Sequence, residues 1–179
     1  MKKLMITLVV ALAAVSVSAQ EAGKMWVGGS VGLWSSKPKG GESTTSYNVI
    51  PEFGYFFQDN LAIAVSAGYS HIENGAGELD GFSVKPFLRY SFLHGSVGNL
   101  FVDGGVGYER SKPKGGDAYN TFDVGFQPGV AINVTDNLAV TGKFGFLGYI
   151  NEKKGDAKTN GFGLDLNMSQ FLVGVSYVF

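Results

Sequence analysis

Beyond residue 19 the chain has no apolar run near the roughly 20 residues that a helix needs to cross a bilayer, yet it alternates apolar with small or polar residues in segment after segment. A period of two sends successive side chains to opposite faces of an extended strand. Strands with one apolar face must cover it with another layer or with lipid. Lipid admits only helices and closed barrels, because unpaired backbone groups in hydrocarbon cost several kcal/mol each.

Eight such segments can be read. The first, Lys24 to Ser35, sets Met25, Val27, Val31 and Leu33 on one face. Thr45 to Phe57 alternates Tyr47, Val49, Pro51, Phe53, Tyr55 and Phe57 against Asn48, Ile50, Glu52, Gly54 and Phe56. Leu61 to Ile72 sets Leu61, Ile63, Val65, Ala67 and Tyr69 against Ala62, Ala64, Ser66, Gly68 and Ser70. The fourth opposes Phe82, Val84, Pro86, Leu88, Tyr90 and Phe92 to Ser83, Lys85, Phe87, Arg89 and Ser91. The fifth opposes Leu100, Val102, Val106 and Tyr108 to Phe101, Asp103, Gly105, Gly107 and Glu109. The sixth opposes Phe122, Val124, Phe126, Pro128, Val130 and Ile132 to Thr121, Asp123, Gly125, Gln127 and Gly129. The seventh reading puts Leu138, Val140, Phe144 and Phe146 on one face and Ala139, Thr141, Lys143 and Gly145 on the other. In the eighth, Phe162, Leu164, Leu166 and Met168 have the opposite parity to Phe171, Val173, Val175, Tyr177 and Phe179, which predicts a bulge near Ser169-Gln170.

Connections alternate in length. Short turns at Gln58-Asp59-Asn60, His94 to Asn99 and Thr135-Asp136-Asn137 are interleaved with longer polar loops at Ser36 to Thr44, Glu73 to Asp80, Ser111 to Tyr119 and Asn151 to Asn160. Transmembrane barrels carry their short turns on the periplasmic side, which, with an even strand count, places both termini there. Ser36-Lys37-Pro38-Lys39-Gly40-Gly41 recurs as Ser111-Lys112-Pro113-Lys114-Gly115-Gly116, and Asp59-Asn60-Leu61-Ala62 as Asp136-Asn137-Leu138-Ala139. Strands one to three therefore echo strands five to seven, the mark of a duplicated half-barrel.

The segment before this reads as an export leader. Lys2 and Lys3 precede an apolar run from Leu4 to Val15, too short to span, and Val17-Ser18-Ala19 supplies the small residues of a cleavage site. The expected division is a signal peptide over 1–19 and one barrel domain over 20–179. Removing Lys2 and Lys3 from the 14 basic residues leaves 12 against 15 acidic, a net charge of −3, which predicts no nucleic-acid partner. The absence of Cys excludes disulfides, thiol chemistry and lipid anchoring through a Cys.

Alternation alone does not tell a membrane barrel from a soluble one turned inside out. Only 16% of residues are charged, against about a quarter in soluble domains. The polar face is mostly Gly, Ser, Thr and Ala, which suits the narrow interior of an eight-stranded barrel. Tyr47, Tyr55, Phe57, Tyr69, Tyr90, Phe92, Tyr108 and Tyr177 fall near strand ends, as an interfacial aromatic girdle requires. The strand charges, Glu52, Lys85, Arg89, Asp103, Glu109, Asp123 and Lys143, then point inward, with Arg89 in reach of Asp103 and Lys85 in reach of Glu109. They predict a lumenal salt-bridge plug that compensates buried charge. Pro51, Pro86 and Pro128 lie mid-strand on the outward parity and should mark bulges or unpaired sites, since proline cannot donate to the ladder.

Catalytic, metal and cofactor chemistry finds little support. His71 and His94 are expected at opposite ends, and a rim triad of His71 with Ser70 and Glu73 fails because neighbours on a strand face opposite ways. No Gly-rich string lies between a strand and a helix, so nucleotide binding is not indicated. The residues point to a protein that is not an enzyme and needs no cofactor.

The whole stretch after the leader resembles the outer-membrane β-barrel family of OmpA-like and OmpX-like small barrels. The residues that carry the likeness are Ile50-Pro51-Glu52-Phe53-Gly54-Tyr55-Phe56, Asp59-Asn60-Leu61-Ala62, Lys85-Pro86-Phe87-Leu88-Arg89-Tyr90 and the closing Tyr177 and Phe179. Gly174, Tyr177 and Phe179 are similar in spacing to an outer-membrane assembly signal, which implies the barrel assembly machinery as a partner during biogenesis. Gln20 after the expected cut resembles Bacteroidetes-type exports. Pattern and resemblance together imply an all-β, eight-stranded antiparallel up-and-down transmembrane barrel in the outer membrane, expected to be monomeric. Its expected role is structural and surface-displaying, with a side-chain-filled lumen; the alternative is a narrow porin-like pore for small solutes. Lysines of the Lys-Pro-Lys-Gly-Gly loops could meet lipopolysaccharide phosphates.

Overall fold

In the computed structural model, strands close on themselves into an antiparallel barrel of eight staves. The structure describes residues 21–36, 43–75, 77–95, 97–155, 157–165 and 172–179. The leader assigned to 1–19, most of the first Ser-Lys-Pro-Lys-Gly-Gly copy and the bulge expected at Ser169-Gln170 lie outside them.

The first six staves are single strands: β1 (Met25–Ser36), β2 (Thr44–Gln58), β3 (Leu61–Asn74), β4 (Gly77–Gly95), β5 (Gly98–Pro113) and β6 (Tyr119–Asn133). The seventh is split into β7 (Leu138–Lys143) and β8 (Phe146–Lys154), and the eighth into β9 (Ala157–Asp165) and β10 (Leu172–Val178). Each stave pairs antiparallel with its sequence neighbours, and β10 returns to β1 through Trp26↔Val178 to Ser30↔Gly174. The β10–β1 seam removes the sheet edge over Trp26 to Ser30, as lipid requires. Beyond it, among the described residues, β9 pairs only with β8, and Val31 to Ser36 of β1 only with β2.

The alternation read in the sequence is the alternation of the wall. Val27, Val49, Phe53, Ile63, Val65, Leu88, Tyr90, Val124, Phe126, Val175 and Tyr177 all face outward and stay exposed, while Trp26, Phe56, Ala62, Ala64, Phe87, Phe101 and Ala131 are buried inside. Arg89, Ser91, Asn99, Asp103 and Ser176 are buried with them, so charge lies inside an apolar exterior, the inverse of a soluble protein.

The three mid-strand prolines sit where the ladder is interrupted. Pairing of β2 with β3 skips from Val49↔Tyr69 to Glu52↔Ser66, leaving Pro51 unpaired on that side. Pairing of β4 with β5 skips from Val84↔Tyr108 to Phe87↔Gly105, which does the same for Pro86. Pro128 lies opposite the break in the seventh stave, where Gly129 pairs with Lys143 but Phe126 with Leu147. The extra residue is taken up at Phe144-Gly145: Gly145 has φ 67° and Phe144 N–H donates to Pro128 O at 3.0 Å. A left-handed Gly is a usual way to seat a bulge.

That bulge corrects the sequence reading. Phe146 was expected outward with Phe144; the one-residue shift turns it into the lumen, where it is 8% exposed. The eighth stave also changes parity, with Phe162 and Leu164 outward on one side and Val173, Val175 and Tyr177 outward on the other. The polar connections differ as well. At three of the four expected long loops the ladder continues, through Asn74↔Gly77, Leu79↔Pro113 and Lys154↔Ala157. Residues that look like loop by composition still satisfy their backbone by pairing, with Gly155 at φ 55° allowing a tight hairpin.

Candidate functional site

Among the described residues, charge, aromatic rings and space converge in the interior, whose two halves are built differently. Toward the short turns, inward aromatics fill the barrel. Trp26 and Phe101 are 2% and 1% exposed, and Trp26 tilts against Phe56 at 5.0 Å between ring centroids. Rings of this size fit because the residues facing them are glycines. A Cβ on Gly54 would lie 2.1 Å from Trp26 Cη2, and one on Gly129 would lie 2.3 Å from Phe101 Cζ. Small-against-large pairing is how a narrow barrel interior is filled.

Over this layer sits a cluster of four charges. Arg89 donates to both carboxylate oxygens of Asp103, from Nε at 2.7 Å and Nη2 at 2.8 Å, and from Nη2 to Glu52 Oε1 at 2.9 Å. Lys143 bonds Glu52 Oε2 at 2.5 Å and Asp103 Oδ2 at 2.9 Å. Trp26 Nε1 also donates to Glu52, at 3.1 Å. Two cations face two carboxylates, so the cluster is neutral, which a group this buried requires. The Arg89 guanidinium lies 4.0 Å from the Phe101 ring centroid and 4.9 Å from that of Trp26, so the rings cover its planar faces while the carboxylates take its edge. The void beneath, bounded by Trp26, Phe56, Arg89 and Phe101, measures about 40 Å³.

Toward the longer loops the interior opens into a cavity of about 310 Å³, lined by hydroxyls of Ser30, Ser66, Ser83, Thr121, Thr141 and Ser176 with the amide of Gln127. Lys85 and Asp123 pair across it at 3.1 Å, with Lys85 5.2 Å from the Phe146 ring. Both of those side chains keep more than a fifth of their surface, against 4% for Asp103.

Of the seven lumen charges expected from the sequence, Glu52, Arg89, Asp103 and Lys143 meet in one cluster and Lys85 joins Asp123. The expected Lys85–Glu109 pair is not formed. Glu109 sits nearer the loop end and accepts from Ser111 Oγ at 2.8 Å, while Gly107, opposite Asp123, leaves that carboxylate room to swing toward Lys85. The sequence reading sets Phe56, Phe87 and Phe101 on the inward face but gives them no role, and it leaves Trp26 unplaced. Phe56, Phe87 and Phe101 share a face with Glu52, Arg89 and Asp103, and that shared parity was the available signal.

The remaining candidates lie on the wall. Phe179 exchanges backbone hydrogen bonds with Met25 at 2.8 and 2.9 Å, and its ring stacks outward on Tyr177 at 6.4 Å between centroids. Gly174 allows β10 to approach β1 closely, since a Cβ there would lie 2.4 Å from Gly29 O. On the outer face near the loop end, His71 Nδ1 lies 2.8 Å from Asp80 Oδ1, which also accepts from Tyr69 Oη at 2.8 Å. Asp80 lies beyond the apolar band, and the hydrogen bond from His71, then that from Tyr69, holds its carboxyl below the usual range. Ser70 points inward toward Gly81, away from His71. Among the described residues no group of three or more His, Cys, Asp or Glu is placed to hold a metal ion, and no helix is long and apolar enough to cross a membrane.

Comparison with known proteins agrees with this architecture. The family defined as "Outer membrane protein beta-barrel domain" matches residues 5–179. The fold is similar to Neisserial surface protein A, at TM-score 0.55 and 17% identity over 88% of this chain and 98% of that one. It is also similar to the N-terminal β-barrel domain of Pseudomonas aeruginosa OprF, at TM-score 0.51 and 14% identity over 89% and 100%. Among curated proteins, none matches by sequence alone.

Proposed function

Because this chain belongs to the outer membrane protein β-barrel domain family, we propose that it serves the outer membrane as a sealed structural barrel that displays its loops at the cell surface. The observation that carries this is the neutral Glu52–Arg89–Asp103–Lys143 cluster packed between Trp26, Phe87 and Phe101. Ions crossing the lumen would have to part charges that solvate one another, at a cost of several kcal/mol per ion. The short turns face the periplasm in this reading and the longer hairpins face outward. Catalysis has no part in it.

The competing reading is a narrow pore, favoured by the polar cavity of about 310 Å³ in the loop half. Planar-bilayer recording separates the two. A sealed barrel stays silent at high protein load. Reproducible unitary steps from the folded protein would reject it in favour of the pore.

A further inference from the structure

On the outward face, the ladders align one row of side chains across four strands. Arg110 of β5 lies beside Asn120 of β6, Asn120 beside Lys153 of β8, and Lys153 beside Lys158 of β9. The next row toward the short turns begins with Tyr108 and Phe122, on the same parity. At the upper edge of the surface that lipid covers, the wall thus passes from ring to cation within two residues on β5, from Tyr108 to Arg110. On β8 and β9 it does so within four, from Tyr149 to Lys153 and from Phe162 to Lys158, with Asn151 and Asn160 between. On β4 and β3 the Arg110 row continues into Phe82 and Tyr69, and the carboxylates lie farther along the strands, where Asp80 faces Lys112 and Glu78 holds Lys114. Arg110, Lys153 and Lys158 therefore stand together in the β5–β9 sector.

Three features of the row call for an anion. Lys153 and Lys158 stand directly opposite on one face, a like-charge arrangement that is unfavourable when left alone. Among the described residues, no ion pair is formed by Arg110, Lys153 or Lys158, whereas Lys114, four residues beyond Arg110, is held by Glu78 at 3.2 Å. Finally, Arg110 and Lys153 are two strands apart, about 10 Å at the usual strand spacing, so a headgroup rather than a single ion can bridge them. Arg supplies the planar fork that grips phosphate.

We propose that Arg110, Lys153 and Lys158 form a seat for the phosphorylated headgroup of a glycolipid in the outer leaflet, whose acyl chains would lie on the apolar rows beneath. Anionic lipid thus contacts the strand wall rather than the Lys-Pro-Lys-Gly-Gly tips. The inference goes beyond the sealed-barrel reading and is independent of it, since conductance reports on the lumen and this row lies on the outer wall.

The test uses the full chain in phosphatidylcholine nanodiscs doped with a bisphosphorylated lipid A or with the same lipid dephosphorylated, and reads lipid retention by native mass spectrometry. The triple variant Arg110→Ser/Lys153→Ser/Lys158→Ser should retain the phosphorylated lipid about a hundredfold less well, and Lys158→Ser alone about fivefold less well, at the usual contribution of a surface cation to anionic lipid. Glu73→Gln/Glu78→Gln should not reduce retention, and inorganic phosphate at millimolar concentration should not compete. Heat-modifiable gel mobility checks that each variant is folded; if the triple variant is not, Lys158→Ser decides. Retention equal to the parent's in the folded variants, or equal retention of the dephosphorylated lipid, overturns the proposal. Displacement by inorganic phosphate overturns the headgroup assignment in favour of a free-phosphate site.

Discussion

The two halves of the lumen share one wall and one set of inward positions, yet they solve the burial of polar groups in opposite ways. In the turn half, large rings meet glycines and buried charges neutralise one another: Asp103 is 4% exposed and Ala62 not at all. In the loop half, hydroxyls line open space and the Lys85–Asp123 pair stays partly solvated. The difference lies in the rings around equivalent positions, since Ala62 and Ser66 are nearly equal in volume but only Ala62 packs with Trp26, Phe56 and Phe87. Four residues along β3, Ala62 packs under Arg89 while Ser66 lines the cavity beside Lys85. What separates a packed interior from a wet one is therefore where the rings fall, since charge occurs in both.

Substitutions should expose this asymmetry, with the largest effect at the cluster. Arg89→Met leaves Glu52 and Asp103 facing only Lys143, and should cost about 3–5 kcal/mol, read as a lower urea midpoint for the loss of heat-modifiable mobility. Next is the glycine pocket. Gly54→Ala forces the Trp26 ring to move and should cost about 1–3 kcal/mol through overpacking; combined with Trp26→Leu the loss should be well below the sum of the two single losses. Strict additivity would show that the ring does not occupy that pocket. In the loop half, Lys85→Met should cost about 1 kcal/mol or less, because its pair is partly solvated. A loss as large as that of Arg89→Met would erase the distinction between the halves.

The smallest effect is at the outer rim. Asp80 has its carboxyl held below the ordinary value by the hydrogen bonds of His71 and Tyr69. A depressed folded-state pKa gives stability that is present above the unfolded-state value and is lost as pH falls through the folded one. The contribution of Asp80 should therefore be intact at neutral pH and disappear only below the normal carboxylate range. Carboxyl NMR titration should show Asp80 moving back toward that range in His71→Ala; an unchanged titration would mean that His71 does not hold it.

Much of this was legible in the residues. Strand number, inward and outward faces, and the inward course of Glu52, Arg89, Asp103 and Lys143 come from a period of two, which a closed wall preserves. The Arg89–Asp103 contact was readable because the two residues are cross-strand partners. Phe146 was misplaced because a single-residue bulge reverses parity without altering composition, and Gly145 among 27 glycines carries no visible mark. The Lys85 partner was misjudged because two carboxylates, Glu109 and Asp123, lie on neighbouring strands within reach, and the space above Gly107 decides between them. Loop ends were drawn too early because polar composition tracks exposure to water, and these strands continue past the apolar band.

Accessibility measured at two matched sites bears most directly on the central contrast. The chain has no Cys, so Ser66→Cys and Ala62→Cys each provide one thiol, on the same strand and the same inward face. With the folded protein in lipid and a small charged maleimide in the water, Ser66→Cys should be modified readily while Ala62→Cys stays unmodified until the barrel is unfolded. Equal modification of both in the folded barrel would contradict a sealed turn half.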